Sequence, residues 1–472
     1  MTIGGEPATG AGRMPVEDPA LGAPFAEAPA GTTADLDRAV AAAVAAFPGW
    51  AGTDPDRRRE LLLRCGAAVR AAVAELAGLL TAEQGKPLAD ARAEVRLAAD
   101  WFRHTAGLDL AAERVVDQPA RRADLLRVPV GPVGAITPTN FPIILAVTKL
   151  APALLAGNPV VLKPAPATPL STLRMGQLLA EVLPAGVLNT VSGGPELGPA
   201  VVDHPQLRMI SFTGSVPVGR AIAVRAAGSF KRVVLELGGN DACIVLPGAE
   251  TGRIAPELFR LAMVNAGQFC AAIKRVYVPA SQQAELVEGL AAAAGAAVVG
   301  DGRDPGTRLG PLVSGDGLAR VHRLVTGAVA AGGRAVTGGE PLARPGHFYP
   351  PTVVTELPPG TGLEDDEQFG PVIPVLAYPD GDLAQAVARA NGTGFGLGGS
   401  VWGDPVAAAP VAAALECGTA WINTHGELRP DLPFGGVGQS GVGVEYGYWG
   451  LLEYTRIKVV HARGRQPAPV PG

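Results

Sequence analysis

Cys270 stands just beyond a Gly-Gln pair in the run Asn265-Ala266-Gly267-Gln268-Phe269-Cys270-Ala271, where a loop can present its thiol. Thirty-four residues earlier, Glu236 closes the run Val233-Val234-Leu235 and precedes Leu237-Gly238-Gly239. A thiol that attacks an electrophilic carbon needs a base and a donor for the negative charge that develops. Glu236 is the candidate base. Flanked by Leu235 and Leu237, it is expected to be partly desolvated, which raises a carboxyl pKa toward a useful range. The ordinary readings stand beside these: a free cysteine is most often a buried small hydrophobe, and a glutamate before Gly-Gly is often a surface turn. Cys65, Cys243 and Cys417 keep the ordinary reading, two in helical patterns and one in a strand pattern.

The elements that must position these groups show in the periodicity. Leu36, Val40, Val44 and Phe47 share one helical face over 34–47, with Thr33 as the cap and Pro48 as the stop. A longer helix is expected over 58–83, ended by Gly85 and Pro87. From Pro159 onward, short β-branched runs alternate with helical segments: Val160-Val161-Leu162, Met209 to Phe212, Val233 to Leu235 and Cys243 to Leu246. Such alternation predicts βαβ units and a parallel sheet buried on both faces. A second series after Cys270, including Val276 to Val278, Val372 to Val375, Ser400 to Trp402 and Thr419 to Ile422, predicts a second α/β domain. The boundary falls near Gly238-Gly239. Thr455, Ile457 and Val459 alternate with charged residues, as in an edge strand, and the Pro-rich tail from 463 to 472 is expected to be disordered.

Several motifs in a fixed order carry a resemblance: Asn140-Phe141-Pro142, Lys163-Pro164, Phe212-Thr213-Gly214-Ser215, Glu236-Leu237-Gly238-Gly239, Gly267-Gln268-Phe269-Cys270, Glu367-Gln368-Phe369-Gly370-Pro371 and Pro433-Phe434-Gly435-Gly436. In this set and order the chain resembles the aldehyde dehydrogenase superfamily. The resemblance implies a Rossmann-like cofactor domain (1–110 and 130–238), an α/β catalytic domain (239–438) and a small β-extension (111–129 and 451–462) that pairs subunits into a homodimer or homotetramer. It implies that Cys270 adds to an aldehyde, that Glu236 activates the hydrolytic water, and that Asn140 with the backbone N–H of Cys270 holds the oxyanion. The residue before Asn140 is Thr139, where many relatives carry tryptophan, and Asn240 replaces their usual lysine.

For the coenzyme, Lys163 follows a strand, where α/β folds bind nucleotides, and would donate to ribose hydroxyls. Gly214 and Gly219 frame a turn into a helix whose start, with Ser215, suits a pyrophosphate. By resemblance, Ile136 and Thr137 join this site, Glu367 holds the nicotinamide ribose and Phe369 packs nearby. The competing readings are a plain turn, a solvated acidic loop and a core aromatic. Pro166 stands where many NAD-preferring relatives carry a glutamate that repels a 2′-phosphate, so NAD is expected to be preferred with NADP also used. The resemblance lines a substrate tunnel with Phe141, Ile144, Leu145, Thr148, Val264, Phe269 and Phe434, with Thr424 to Leu428 at its mouth. Thr148 and Val264 replace aromatic residues of many relatives, which implies a wider channel.

Composition narrows the partners. The 472 residues are 47% hydrophobic and 18% charged, so burial is extensive. A net charge of −5 offers no basic excess for nucleic acid or anionic membrane. The uncharged run from Val128 to Thr148 holds four prolines and reads as buried and turn-rich rather than membrane-spanning. The first thirteen residues do not read as a signal peptide. Four cysteines without metal or CxxC spacing suggest neither a metal site nor a disulfide framework, and suit a reducing cytoplasm. Two rivals remain: a coenzyme A-acylating dehydrogenase, against which Glu236 counts, and a catalytically silent scaffold, which would have lost Cys270, Glu236 or Asn140.

Overall fold

The β-branched runs pair into two parallel sheets, as a computed structural model that describes residues 1–463 shows. In the first, Leu188–Thr190, Val160–Lys163, Val133–Ile136, Met209–Thr213 and Arg232–Glu236 lie side by side in that order, all parallel. From Val133–Ile136 the chain fills one flank (Val160–Lys163, Leu188–Thr190), then crosses to the other (Met209–Thr213, Arg232–Glu236). The order therefore reverses between Val133–Ile136 and Met209–Thr213. The crevice outside the carboxyl ends at such a reversal is where open α/β sheets bind ligands. Gly441–Val442 adds an antiparallel edge beside Arg232–Glu236, so the chain returns to this sheet late.

The second sheet runs Thr352–Thr355, Val372–Tyr378, Arg275–Pro279, Ala242–Val245, Gly398–Trp402 and Thr419–Ile422, also parallel. Glu236 ends a strand of the first sheet and Ala242 begins one of the second. The carboxyl edge of one sheet therefore faces the amino edge of the other, and Gly238-Gly239 bridges them. Arg275–Pro279 begins five residues after Cys270, which puts the nucleophile loop in the same gap.

A separate three-stranded antiparallel sheet joins Glu113–Gln118, Arg121–Pro129 and Thr455–Arg463, with the last strand on its edge. Ile457 and Val459 are 57% and 58% exposed there.

Three local expectations are corrected. The first helix spans Thr33–Ala51 and is capped by Thr32, which forms a capping box with Asp35; Pro48 lies inside it. The single helix expected over 58–83 is two, Pro55–Ala71 and Val73–Gln84, bent by 67°. The break is at Ala72, whose φ/ψ of −96°/14° is non-helical. Cys417 lies in a bend after the helix Pro405–Ala413, not within it. Of the tail expected to be disordered, 463 to 472, Arg463 is the last residue of the strand Thr455–Arg463, and 464 to 472 fall outside the described residues. Among the described residues no single helix is long and apolar enough to cross a membrane.

Candidate active site

The nucleophile loop is built on an unusual backbone. Asn265, Ala266 and Gly267 take φ values of 52°, 55° and 73° in succession. At Gly267 a Cβ would lie 2.1 Å from the Gly370 carbonyl, so only glycine fits. Gln268 then anchors the loop: its side chain accepts from Val313 N–H (2.9 Å) and donates to the Asn265 and Pro311 carbonyls. Lys274 donates to the carbonyls of Phe269 and Cys270. Burial pushes the Cys270 thiol up to about 12, Lys274 opposes that, and Glu367, Glu236 and Asp241 add to it. At neutral pH the group is a thiol that needs its proton removed.

Asn140 lies 4% exposed, just ahead of the helix Pro142–Leu155. Its Nδ2 donates to the Gln268 carbonyl at 3.0 Å, which ties it to the nucleophile loop. Its own carbonyl accepts from Lys86 Nζ (2.7 Å) and Asn265 Nδ2 (3.0 Å). Lys86 is in turn paired with Glu94, both nearly inaccessible, and Glu94 accepts from the N–H groups of Ile143 and Ile144. The sequence reading missed this pair. It saw Gly85 and Pro87 only as a helix stop, although a lysine between them and a glutamate on the buried face of Leu88–Ala106 were available signals.

Glu236 ends its strand, and neither carboxyl oxygen has a hydrogen-bond partner. Burial holds its pKa well above the usual carboxylate range; Glu445 raises it further and Lys149 lowers it. Lys149 donates to Thr213 Oγ1 (2.7 Å) and to Glu445 in a fully buried ion pair. A Cβ on Gly435 would stand 3.2 Å from Glu236 Oε1, so the Pro433 to Gly436 turn passes close against the carboxyl.

Two clefts meet at Cys270. Cys270 and Asn140 line both. The first, about 270 Å³, is lined by Gly214, Ser215, Gly238, Glu367 and Phe369. Glu367 accepts from Gly239 N–H at 3.2 Å; burial raises its pKa and Lys274 lowers it. Ile136, Thr137, Lys163 and Gly219 are not in this lining. Ile136 and Lys163 are register partners at the carboxyl edge of the sheet, and Thr137 follows directly. Gly219 is a packing glycine whose Cβ would meet Leu237 at 2.3 Å.

The second cleft, about 450 Å³, is walled by Trp101, Phe141, Val264, Phe269 and Tyr446, with Thr424 to Leu428 on its rim. Two expected tunnel residues are corrected. Thr148 is buried and bonds the Leu145 carbonyl, and Phe434 sits behind the wall, stacked on Tyr446 at 5.6 Å. Trp101 and Tyr446 join Phe141 and Phe269 in the wall, so half of its aromatic rings come from outside the motifs. Neither lies in a quoted motif, and Trp101 is a core-face position of its helix by periodicity.

The donors at the carboxyl edge of the first sheet, Lys163 and Thr137, and Ser215 in the first cleft fit a dinucleotide. Lys163 is buried with one carbonyl partner, Pro164 at 3.2 Å, and burial lowers its pKa to about 8, with Glu196 the charge that opposes this. The Thr137 hydroxyl is buried without a partner, and the Ser215 hydroxyl makes no cap to its helix. Polar groups with unmet capacity at strand ends and a helix start match ribose hydroxyls and a pyrophosphate.

Comparison with known proteins agrees with this geometry. The aldehyde dehydrogenase family model matches residues 7–460. The chain is 39% identical over 460 residues to a phenylacetaldehyde dehydrogenase of Pseudomonas fluorescens, covering 94% of this chain and 91% of that protein. It is 38% identical over 437 residues to a succinate-semialdehyde dehydrogenase of Paenarthrobacter nicotinovorans, covering 91% and 96%. The crystal structure of an NAD-dependent aldehyde dehydrogenase from Sinorhizobium meliloti superposes with a TM-score of 0.95 at 34% identity, covering 99% of this chain and 95% of that one. With a thiol where two clefts meet, and matched along nearly its whole length, the chain belongs to the aldehyde dehydrogenase family.

Proposed function

We propose that this enzyme oxidises an aldehyde to its carboxylate with NAD(P) as acceptor, through a covalent adduct on Cys270. The observation that carries the reading is the meeting of two clefts at one thiol and one amide: an aldehyde can reach Cys270 from the aromatic side and a coenzyme from the other. Cys270 Sγ adds to the carbonyl carbon, its proton leaving to a base or water, and the oxygen becomes an oxyanion. The Asn140 amide and the Cys270 N–H hold that charge, and neither donor can titrate away. Lys163, Ser215 and Glu367 would hold the dinucleotide, which supplies the acceptor for the hydride leaving the tetrahedral carbon. The thioester left on Cys270 is hydrolysed when Glu236 takes a proton from water; the oxygen adds to the carbon and the C–S bond breaks. The raised pKa of Glu236 makes its carboxylate a stronger base than an ordinary one.

NAD is the better coenzyme and NADP is also used. Pro166 supplies no carboxylate, but Glu196, in the turn after the neighbouring strand, carries charge close to Lys163 and disfavours a second phosphate there. The exposed stripe of Ile457 and Val459 pairs with another subunit, giving a dimer or tetramer.

Appearance of reduced coenzyme tests the reaction. Cys270→Ala should abolish it, while Glu236→Gln should keep a first-turnover burst and slow steady turnover about a hundredfold or more. Wild-type turnover in Cys270→Ala, or a kinetically silent Glu236→Gln, would overturn the mechanism. Rate stimulation by coenzyme A would move the chain to the acylating class.

A further inference from the structure

We infer that the substrate is an uncharged aldehyde bearing an aromatic ring, and that Trp101 selects it. The inference rests on the reading that the second cleft admits the aldehyde, and it concerns which aldehyde.

The walls are ring-shaped and rigid. Trp101 and Tyr446 pack edge to face, with centroids 4.8 Å apart and planes at 73°. Phe141 and Phe269 form a second such pair at 5.5 Å and 74°. Each pair is held by a further partner: Phe434 stacks on Tyr446, and Lys86 Nζ sits 3.9 Å from the Phe141 ring centre. Rings fixed this way offer edges and faces to another ring without reorganising, whereas a short aliphatic aldehyde leaves most of a 450 Å³ cleft unfilled.

Charge argues against an acidic aldehyde. Among the described residues Arg260 is the one lysine or arginine in the lining, and both its Nε and Nη2 are engaged by Glu257 on the same exposed helix face; His425, also in the lining, lies 3.5 Å from Asp241. Arg429, the other cation near the mouth, is paired with Asp431 and lies outside the lining. Lys86 is behind Phe141, neutralised by Glu94. At the rim, Glu427 adds a negative charge. A carboxylate on the aldehyde would be desolvated against aromatic carbon with no lysine or arginine free to pair with it.

The test is kcat/KM for phenylacetaldehyde, 3-phenylpropanal, propanal and succinic semialdehyde in the wild type, Trp101→Ala and Val264→Phe. The wild type should favour the two aryl aldehydes over propanal by about tenfold or more, and over succinic semialdehyde by about a hundredfold. Trp101→Ala should lower the phenylacetaldehyde-to-propanal ratio about tenfold, mainly through KM. Val264→Phe narrows the cleft without removing a wall, so it should lower the same ratio and decides the matter should Trp101→Ala fail to fold. Succinic semialdehyde as the best substrate, or ratios unmoved by Val264→Phe, would overturn the inference. Failure of every aldehyde with either coenzyme would instead overturn the dehydrogenase reading itself.

Discussion

Replacing Glu94 with glutamine tests how Asn140, the proposed oxyanion donor, is held. Glu94 does two things from inside the protein: it neutralises Lys86, and it accepts the N–H groups of Ile143 and Ile144 at 3.0 and 3.2 Å, two otherwise orphaned donors at a helix start. The variant keeps the shape but leaves the Lys86 ammonium buried against a neutral amide. Burial already lowers the Lys86 pKa, and Glu94 is the main charge opposing that, so the variant lysine sheds its proton more readily. Breaking one side of a buried pair typically costs about 3–5 kcal/mol. The glutamine oxygen still accepts from the helix, which argues for the lower end, about 3 kcal/mol. A chain of this size is poorly served by a single unfolding free energy, so the assay is hydrogen exchange at the Ile143 and Ile144 amides. A loss of about 3 kcal/mol corresponds to exchange about 150-fold faster. Because Lys86 also holds the Asn140 carbonyl, kcat should fall about tenfold or more with little change in aldehyde KM. Exchange within about threefold of wild type, together with unchanged kcat, would show that the pair neither anchors the helix nor positions Asn140.

Three further outcomes follow from the same structure. Glu445 raises the Glu236 pKa and Lys149 lowers it, so Glu445→Gln should move the acid limb of the kcat profile to lower pH and Lys149→Met to higher; shifts of the same sign would contradict the electrostatics. Glu196→Gln should raise NADP use relative to NAD in paired kcat/KM measurements, and an unmoved ratio would clear Glu196 of any part in discrimination. Light scattering should show a dimer or larger species that Ile457→Glu with Val459→Glu dissociates, whereas a fully active wild-type monomer would refute the pairing of that strand.

The parallel sheets were legible because buried strands announce themselves as short β-branched runs. The runs ending at Leu162, Phe212 and Leu235 all became strands of one sheet. Helix limits were less legible, for stated reasons. Pro48 is accommodated within a helix, and the break at Ala72 has no Gly or Pro to mark it. Motifs placed the groups that face the clefts but not the layer that fixes them. Lys86, Glu94, Lys149 and Glu445 are charged residues that local patterning assigns to solvent; pairing makes them core, across 8 residues for Lys86 and Glu94 and 296 for Lys149 and Glu445.

The nucleophile loop shows why local rules end where chemistry begins. Asn265 and Ala266 hold left-handed conformations that an alanine adopts at a cost of about 1–2 kcal/mol. No propensity would place Ala266 there. The strain is sustained by bonds made elsewhere: Asn265 to the Asn140 carbonyl, Gln268 to Pro311 and Val313, and the contact of Gly267 with Gly370. One link joins the Cys270 loop to Asn140, one to Gly370 beside the Glu367 to Phe369 segment, and one to Val313 on the wall of the first cleft. A relaxed loop could form without those partners, but it would carry no information about where Asn140 and Glu367 are. The strained one closes only when both are in place, so the backbone cost and the alignment of thiol, amide and coenzyme cleft are one structural fact.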